Sequence, residues 1–427
     1  MDKNDSRSTV HGPRSTVHGP RFTFFTLAWR NLWRNKRRTL ITLASISFAV
    51  FFAIVQRGLH GGSWQNMLDN VLHSYTGYLQ VHAKGYWDEK TFDYTFELSD
   101  SLSRQLSQNK NVKSLVPRVE SFALASAGNK TKGVIVAGID PAKEEQFSKL
   151  SDKIKDGSML LASDTAIVVS QRFAHFMNIA VGDTLTLIGQ GYQGASANGI
   201  FVVKGIVKLP SPEWDNQMVF MPLNIAQSFY SCDNRLTSLV IDIEKPRFLD
   251  QTTDAIAAKI DLDTYEVMTW RQMLNELYQQ YVSDEGGGIL ILGLLYLIVG
   301  FGIFGTVMMM TAERTREFGV MLAIGTSYKR ILSIVCFEML LIATMGIILG
   351  MIGSLPLITY WHFNPIQLTG EMAQTMEIYG MEPVMPVLWQ TDYIINQGIA
   401  VFVLTFFAVL YPIFRISRLN VIKALRS

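Results

Sequence analysis

The chain has 427 residues, 48% of them hydrophobic and 17% charged. Soluble globular proteins carry about 25% charged residues, so this composition excludes an ordinary water-soluble domain and points to the membrane. Its two cysteines, Cys232 and Cys336, lie far apart and exclude a disulfide framework or a Cys-based metal site. The net charge of +2 is informative only through its distribution along the chain, and nothing in it suggests a nucleic-acid partner.

Residues 1–21 read as a disordered tail. Within them "RSTVHGPRSTVHGP" duplicates seven residues in tandem, with Gly and Pro in each copy. His11 and His18 of the repeat give too weak a pattern for a metal site. The first forty residues hold nine Lys/Arg and no early apolar core, so no signal peptide is expected. Over residues 22–38, Phe25, Ala28, Trp29, Leu32 and Trp33 share one helical face, while Arg30, Arg34, Arg37 and Arg38 fall elsewhere. Such a basic, aromatic, amphipathic helix lies in the membrane interface, as an elbow helix or a topogenic anchor.

Roughly 20 apolar residues cross a bilayer. Four segments qualify, at residues 39–61, 287–310, 331–357 and 393–414. Between the first two lies a segment of residues 62–286 that reads as mixed α/β. Candidate strands fall at 77–82, 112–126, 132–139, 166–169, 184–188, 200–207, 236–243 and 264–269. Candidate helices fall at 98–108, 171–178, 224–230 and 247–259. The expectation is one α/β domain with a β-rich insert near 155–222. "WQNMLDNVLHSY" after the first span and "WRQMLNELYQQYVSDE" before the second read as helical stalks. Gly286, Gly287 and Gly288 follow the second stalk. Consecutive glycines weaken a helix, which suits a hinge, or else admits a closely packed neighbour.

Span two carries Gly293, Gly300, Gly302 and Gly305, and span three the GxxxG pair Gly346 and Gly350, so both offer close-packing faces. Span three also holds Glu338. An intramembrane carboxylate is costly, and pairing with a nearby Arg is the favoured explanation. The 358–392 loop places Met372, Met376, Met381 and Met385 together as candidates for apolar substrate contact, against a plainer role in packing on the stalks or the α/β domain.

Residues 1–39 hold nine Lys/Arg, residues 311–330 four and the 415–427 tail four, whereas 358–392 hold none. The positive-inside rule then puts both termini and the 311–330 connector in the cytoplasm, and the α/β domain and the 358–392 loop outside. The fold class is therefore an α-helical membrane protein with four transmembrane helices and a large extracytoplasmic α/β domain inserted between helices 1 and 2.

No catalytic constellation stands out. "GQGYQG" at 189–194 formally matches GxGxxG, but a strand pattern follows where a dinucleotide site needs a helix, so it reads as a hairpin loop. There is no GxxxxGK[ST] and no GxSxG. Any energy supply must come from a partner.

The 311–330 connector opens with the charged turn Glu313, Arg314, Arg316 and Glu317 and continues with apolar residues. "ERTREFGVMLAIGTSYKRI", together with "AWRNLWRNKRRTLIT", "SQRFAHFMNIAVGDTLTLIG…FVVKGIV", "FRISRLNVIKALRS" and the four-span layout, resembles the MacB/FtsX-like ABC permeases, most nearly the LolC/LolE lipoprotein-releasing type. The similarity runs over residues 22–427; the long Met-bearing 358–392 loop and the duplicated tail depart from it. The resemblance implies a MacB-like periplasmic core domain. It also implies a non-catalytic inner-membrane permease subunit of a mechanotransmission transporter, with lipoprotein as cargo. In that reading Glu313, Arg314, Arg316, Glu317, Phe318, Gly319, Met321, Leu322 and Gly325 form the helix that couples to an ATPase. Implied partners are a separate LolD-like ATPase that binds ATP and Mg, a second permease subunit (identical or paralogous), membrane lipids and a LolA-like periplasmic chaperone, with no cofactor in this chain. MacB-like export of periplasmic peptides or toxins, and FtsX-like regulation of a cell-wall hydrolase, are the alternatives.

Overall fold

The computed structural model describes residues 29–30, 32–34, 36–378 and 383–418. The expectations for the 1–21 tail, residues 22–28 of the elbow helix, Met381 and residues 419–427 lie outside the described residues.

One-turn segments aside, the helices are α1 (Lys36–Val71), α2 (Asp100–Ser107), α3 (Pro141–Ser148), α4 (Gln171–Met177), α5 (Leu223–Phe229), α6 (Leu249–Ala257), α7 (Asn275–Glu313), α8 (Thr315–Ala323), α9 (Tyr328–Phe363), α10 (Glu371–Ile378) and α11 (Thr391–Ser417). Four of these, α1, α7, α9 and α11, are long and apolar enough to cross a membrane. Each outruns its apolar stretch. The polar stalk sequences continue the helices, because helix propensity does not end where hydropathy does.

The chain divides into two compact units. One holds the described residues up to Gly58, Gly288–Tyr360 and those from Trp389; the other holds Leu59–Gly287 and Trp361–Leu388. In the first unit, α9 presses against α1 at its GxxxG pair. A Cβ on Gly346 would lie 2.7 Å from Ile46 Cγ2, and one on Gly350 would lie 2.6 Å from the Ser47 carbonyl oxygen. Only hydrogen fits at these two positions, so the helix backbones approach closely. The glycines of α7 behave differently. A Cβ on Gly293, Gly300, Gly302 or Gly305 would meet nothing within 4 Å, so among the described residues nothing packs against these glycines.

The second unit is built on one ten-stranded sheet. Its strands are β1 (Leu79–Ala83), β3 (Val112–Ala127), β4 (Lys130–Ile139), β5 (Ile154–Gly157), β6 (Ile167–Ser170), β7 (Thr184–Gln190), β8 (Ser196–Val207), β9 (Met218–Pro222), β11 (Ser238–Ile243) and β12 (Tyr265–Thr269), with β2 (Phe96–Glu97) and β10 (Arg235–Leu236) paired apart from it. The order is β12-β1-β11-β3-β4-β9-β6-β8-β5, with β7 bridging β3 and β8. The sheet is mostly antiparallel, with parallel pairs β4–β9 and β6–β8. The expected β-rich insert is therefore not a separate sheet. Long β3 pairs with β11 through its first half and with β7 through its second, and β9, which the sequence reading missed, joins β4 to β6. β9 is a five-residue, fully buried run, without the alternation that marks a half-exposed strand. "GQGYQG" does fall at the β7–β8 turn, as a hairpin.

At its far end α1 passes into a π-turn, Leu72–Thr76, closed by Gly77 at φ +74° donating its N–H to the Leu72 carbonyl at 2.7 Å. The two stalk sequences are tied together two to three turns earlier along α1. Asp284 accepts hydrogen bonds from Trp64 Nε1 and from His60 Nε2, the latter at 2.9 Å, and Trp64 meets Tyr281 edge to face at 5.3 Å. The triple glycine does not interrupt α7, which runs as one helix from Asn275 to Glu313. A Cβ on Gly286 or Gly287 would meet nothing within 4 Å, so no neighbour packs against these two.

The 358–392 loop folds into α10 and the small hairpin β13 (Ile366–Gln367) and β14 (Val384–Met385). It straps onto α1 at Gly62, where a Cβ would sit 2.2 Å from the Pro386 carbonyl oxygen. Met372 is exposed on α10, Met376 on the same helix is half-buried, and Met385 is half-buried on β14.

Candidate coupling site

The charged connector between α7 and α9 is the short helix α8. The turn before it breaks at Arg314, and Glu313 ends α7. At its other end Gly325, at φ +93°, donates its N–H to Leu322 O at 3.1 Å while Thr326 donates to Met321 O at 2.9 Å. This is a Schellman motif, which requires the left-handed residue that glycine supplies. Gly325 thus has a structural role in ending the helix.

The inner side of α8 is pinned. Phe318 is 1% exposed and packs with Ile331, Val335 and Ile416, supported by Met321 and Leu322; Gly319 is buried beside it. Arg34, from the helix preceding α1, donates two hydrogen bonds from Nη2 to Glu317, at 2.5 and 2.6 Å. Arg314 bonds Glu317 through Nε at 3.3 Å and Glu338 of α9 through Nη1 at 2.5 Å. Its guanidinium also lies 5.4 Å from the Phe318 ring centroid. Partial burial tends to raise the Glu317 carboxyl, but the hydrogen bond and charge of Arg34, joined by Arg314, outweigh it and hold Glu317 below the ordinary carboxylate value. Glu317 in turn raises the Arg34 guanidinium. The four charged residues form one chain, Arg34, Glu317, Arg314, Glu338, linking three helices.

The outer side is open. Arg316 is exposed, as are Val320 at 45% and Ile324 at 76%. An open cleft of about 450 Å3, lined by Arg34, Arg314, Glu317, Val320, Ile331 and Ile334 among others, runs beside the helix. The intramembrane carboxylate predicted to need a partner has one in Arg314. Sequence reading does not single out Arg34: it falls with the other basic residues of the interfacial helix, and no local pattern ties it to a residue 283 positions away. Of the other candidates, Gly286, Gly287 and Gly288 sit in α7, and Met372, Met376 and Met385 belong to the second unit. Among the described residues no group of three or more His, Cys, Asp or Glu could hold a metal ion.

A family model for the MacB-like periplasmic core domain matches residues 39–259, and one for the FtsX-like permease C-terminal matches residues 289–421. The chain belongs to this permease family. Among its relatives are the lipoprotein-releasing system transmembrane protein LolC of Neisseria meningitidis, 21% identical over 91% of this chain and 94% of that one, and LolE of Haemophilus influenzae, 22% identical over 95% and 99%. The macrolide export ATP-binding/permease protein MacB of Aggregatibacter actinomycetemcomitans is 23% identical over 75% of this chain but only 50% of its own length. The crystal structure of the periplasmic region of MacB from Actinobacillus actinomycetemcomitans aligns with 50% of this permease and 97% of that chain, at 17% identity and a TM-score of 0.34. The protein is a membrane permease of the ABC type with four apolar helices and a MacB-like periplasmic core domain.

Proposed function

We propose that this permease is the non-catalytic membrane subunit of a mechanotransmission transporter that extracts lipoproteins from the inner membrane of a diderm bacterium. A separate ATPase supplies the work and docks on α8. The observation that carries this reading is the two-sidedness of α8: its inner side is fixed by Phe318 and the Arg34–Glu317–Arg314–Glu338 chain, while Arg316, Val320 and Ile324 face outward. A helix held this firmly to α9 passes a push from a bound partner into the spans. The glycines of α7, against which no other described residue packs, suit a second permease subunit. The stalk ties at Asp284 suit transmission of movement outward.

The relatives whose full length this chain matches carry the lipoprotein-releasing name, which favours lipoprotein cargo over MacB-like export. Both termini and α8 are assigned to the cytoplasm, and the sheet domain to the periplasm. Met372, Met376 and Met385 remain candidates for apolar cargo contact, alongside Met381, and a LolA-like chaperone for cargo transfer.

The test is purification of the tagged protein from native membranes in mild detergent, with a photocrosslinker at Arg316 and mass spectrometry of what comes with it. An ATPase crosslinked at position 316 together with triacylated proteins is expected. An ATPase with a cell-wall hydrolase and no acylated cargo would move the reading to signalling, and absence of any crosslinked ATPase would overturn it.

A further inference from the structure

The tie between the two stalk sequences holds a histidine between two carboxylates. His60 of α1 turns its Nε2 to Asp284 at 2.9 Å and its Nδ1 to Glu285 at 3.6 Å, both on α7. Its side chain is 17% exposed, and Nδ1 is shut off from solvent with no hydrogen-bond partner. The separation from Glu285 is within ion-pair reach but too long for a hydrogen bond.

The charge on the ring decides how many of these contacts form. A neutral imidazole carries one proton and an imidazolium two. The neutral ring serves one carboxylate, and its other nitrogen then aims a lone pair at the second. Acceptor against acceptor, away from water, is unfavourable. The imidazolium donates to both. Asp284 also accepts from Trp64 Nε1, and Trp64 meets Tyr281 edge to face. Asp284 therefore keeps a donor in either state, and the contact that depends on the second proton is the one from His60 to Glu285.

The other groups around the ring keep their charge while it titrates. On α1 the nearest charge in sequence is Arg57, three residues back. The strap that packs at Gly61 and Gly62 brings Pro386 and Leu388, and its His362 is bonded to the Val387 carbonyl at 2.9 Å. Imidazole is the side chain whose ordinary titration falls between about pH 5 and 8, a range in which carboxylates and guanidinium groups ordinarily stay ionised.

We propose that His60 is a proton-operated clamp between the stalks. On acidification its ring takes a second proton and grips Glu285 as well as Asp284; at alkaline pH it lets Glu285 go. Acid then stiffens the stalk pair. The clamp stands apart from the choice of cargo and from ATPase docking on α8; only its effect on transport rests on the mechanotransmission reading.

The test is a double-mutant cycle of His60→Gln against Glu285→Gln on the full-length chain in lipid nanodiscs, read as melting temperature at about pH 5.5 and about pH 8.5. At the acid value each single variant should melt about 2 °C or more below the parent, and the double variant no lower than the worse single. At the alkaline value Glu285→Gln should cost less than about half as much, and the two changes should add. If His60→Gln does not fold, the loss from Glu285→Gln at the two pH values decides. Coupling of equal size at both values would make the tie permanent, and no coupling at the acid value would take Glu285 out of it; either result overturns the proposal. Neither result depends on whether an ATPase or an acylated protein co-purifies, so failure of the clamp is distinguishable from failure of the transport reading.

Discussion

Arg314 and Glu338 join across 24 positions of sequence, guanidinium Nη1 to carboxylate Oε2, with both side chains largely buried. The pair closes the junction between the end of α7 and the first turns of α9. It ties α8 to the spans beside the apolar contacts of Phe318.

Removing one member of a buried pair strands the other charge, at a cost of roughly 3 kcal/mol. Glu338→Leu should therefore lower thermal stability in detergent clearly, while the Arg314→Leu/Glu338→Leu double variant should recover part of the loss. A double-mutant cycle by thermal unfolding checks this, and additive single effects would count against the pairing.

Arg34 and Glu317 present the opposite case. Their side chains are 59% and 46% exposed, and exposed pairs contribute under about 1 kcal/mol. Arg34→Ala should leave the melting temperature nearly unchanged, yet uncouple ATP hydrolysis from transport in a reconstituted complex. Equal loss of stability and of coupling would show that Arg34 acts only in folding.

Gly350→Ala should be costly where Gly305→Ala is not. The added methyl at Gly350 meets the Ser47 carbonyl at 2.6 Å, whereas at Gly305 it meets nothing. Overpacking of this kind costs about 1–3 kcal/mol. Comparing the two variants as isolated chains in detergent isolates the α1–α9 contact. A Gly305→Ala defect seen only in the assembled complex would place a second subunit on α7.

In the sheet domain, Arg118 is fully buried and binds Glu144 twice, at 3.0 and 2.9 Å, while donating to the Tyr75 carbonyl at 2.6 Å. Glu144→Gln should destabilise the domain by roughly 3 kcal/mol, with Arg118→Leu/Glu144→Leu partly restoring it. Hydrogen exchange of β3 and α3 amides reports the change locally.

Burial pushes His82 from 6.5 down to about 4, against smaller opposing contributions from the Thr237 carbonyl and Glu266. Its ring bonds Thr237 O through Nδ1 at 3.0 Å and stacks on Tyr86 at 5.2 Å, and Lys90 nearby adds to the depression. Because the folded value is the lower one, the unfolded chain binds the proton first on acidification. Stability is complete above pH 6.5 and falls, by about 3 kcal/mol in all, as pH drops toward 4. Melting curves over this range should flatten in His82→Asn.

Much of this architecture is legible in the chain. The apolar runs locate the four long helices, since only some 20 uncharged residues satisfy a bilayer. Runs rich in β-branched and aromatic residues locate eight of the ten strands of the sheet, among them β1, β6 and β11, which are buried throughout. β5 and β9 escaped: β5 is the four residues IKDG, and β9, MVFMP, carries two methionines and ends on proline. The GxxxG pair of α9 announces a close contact but not its partner, and the glycines of α7 look the same in sequence yet meet nothing among the described residues.

By itself the sequence determined the spans, their charge asymmetry, the charged connector and the need for Glu338 to find a cation, because these follow from the cost of exposing or burying particular groups. Only the tertiary structure decided that the cation is Arg314, that Arg34 grips Glu317, and that the insert continues the main sheet through β3 and β9. Those pairings join residues far apart in the chain, and their energies exist only once packing has brought the groups within contact distance.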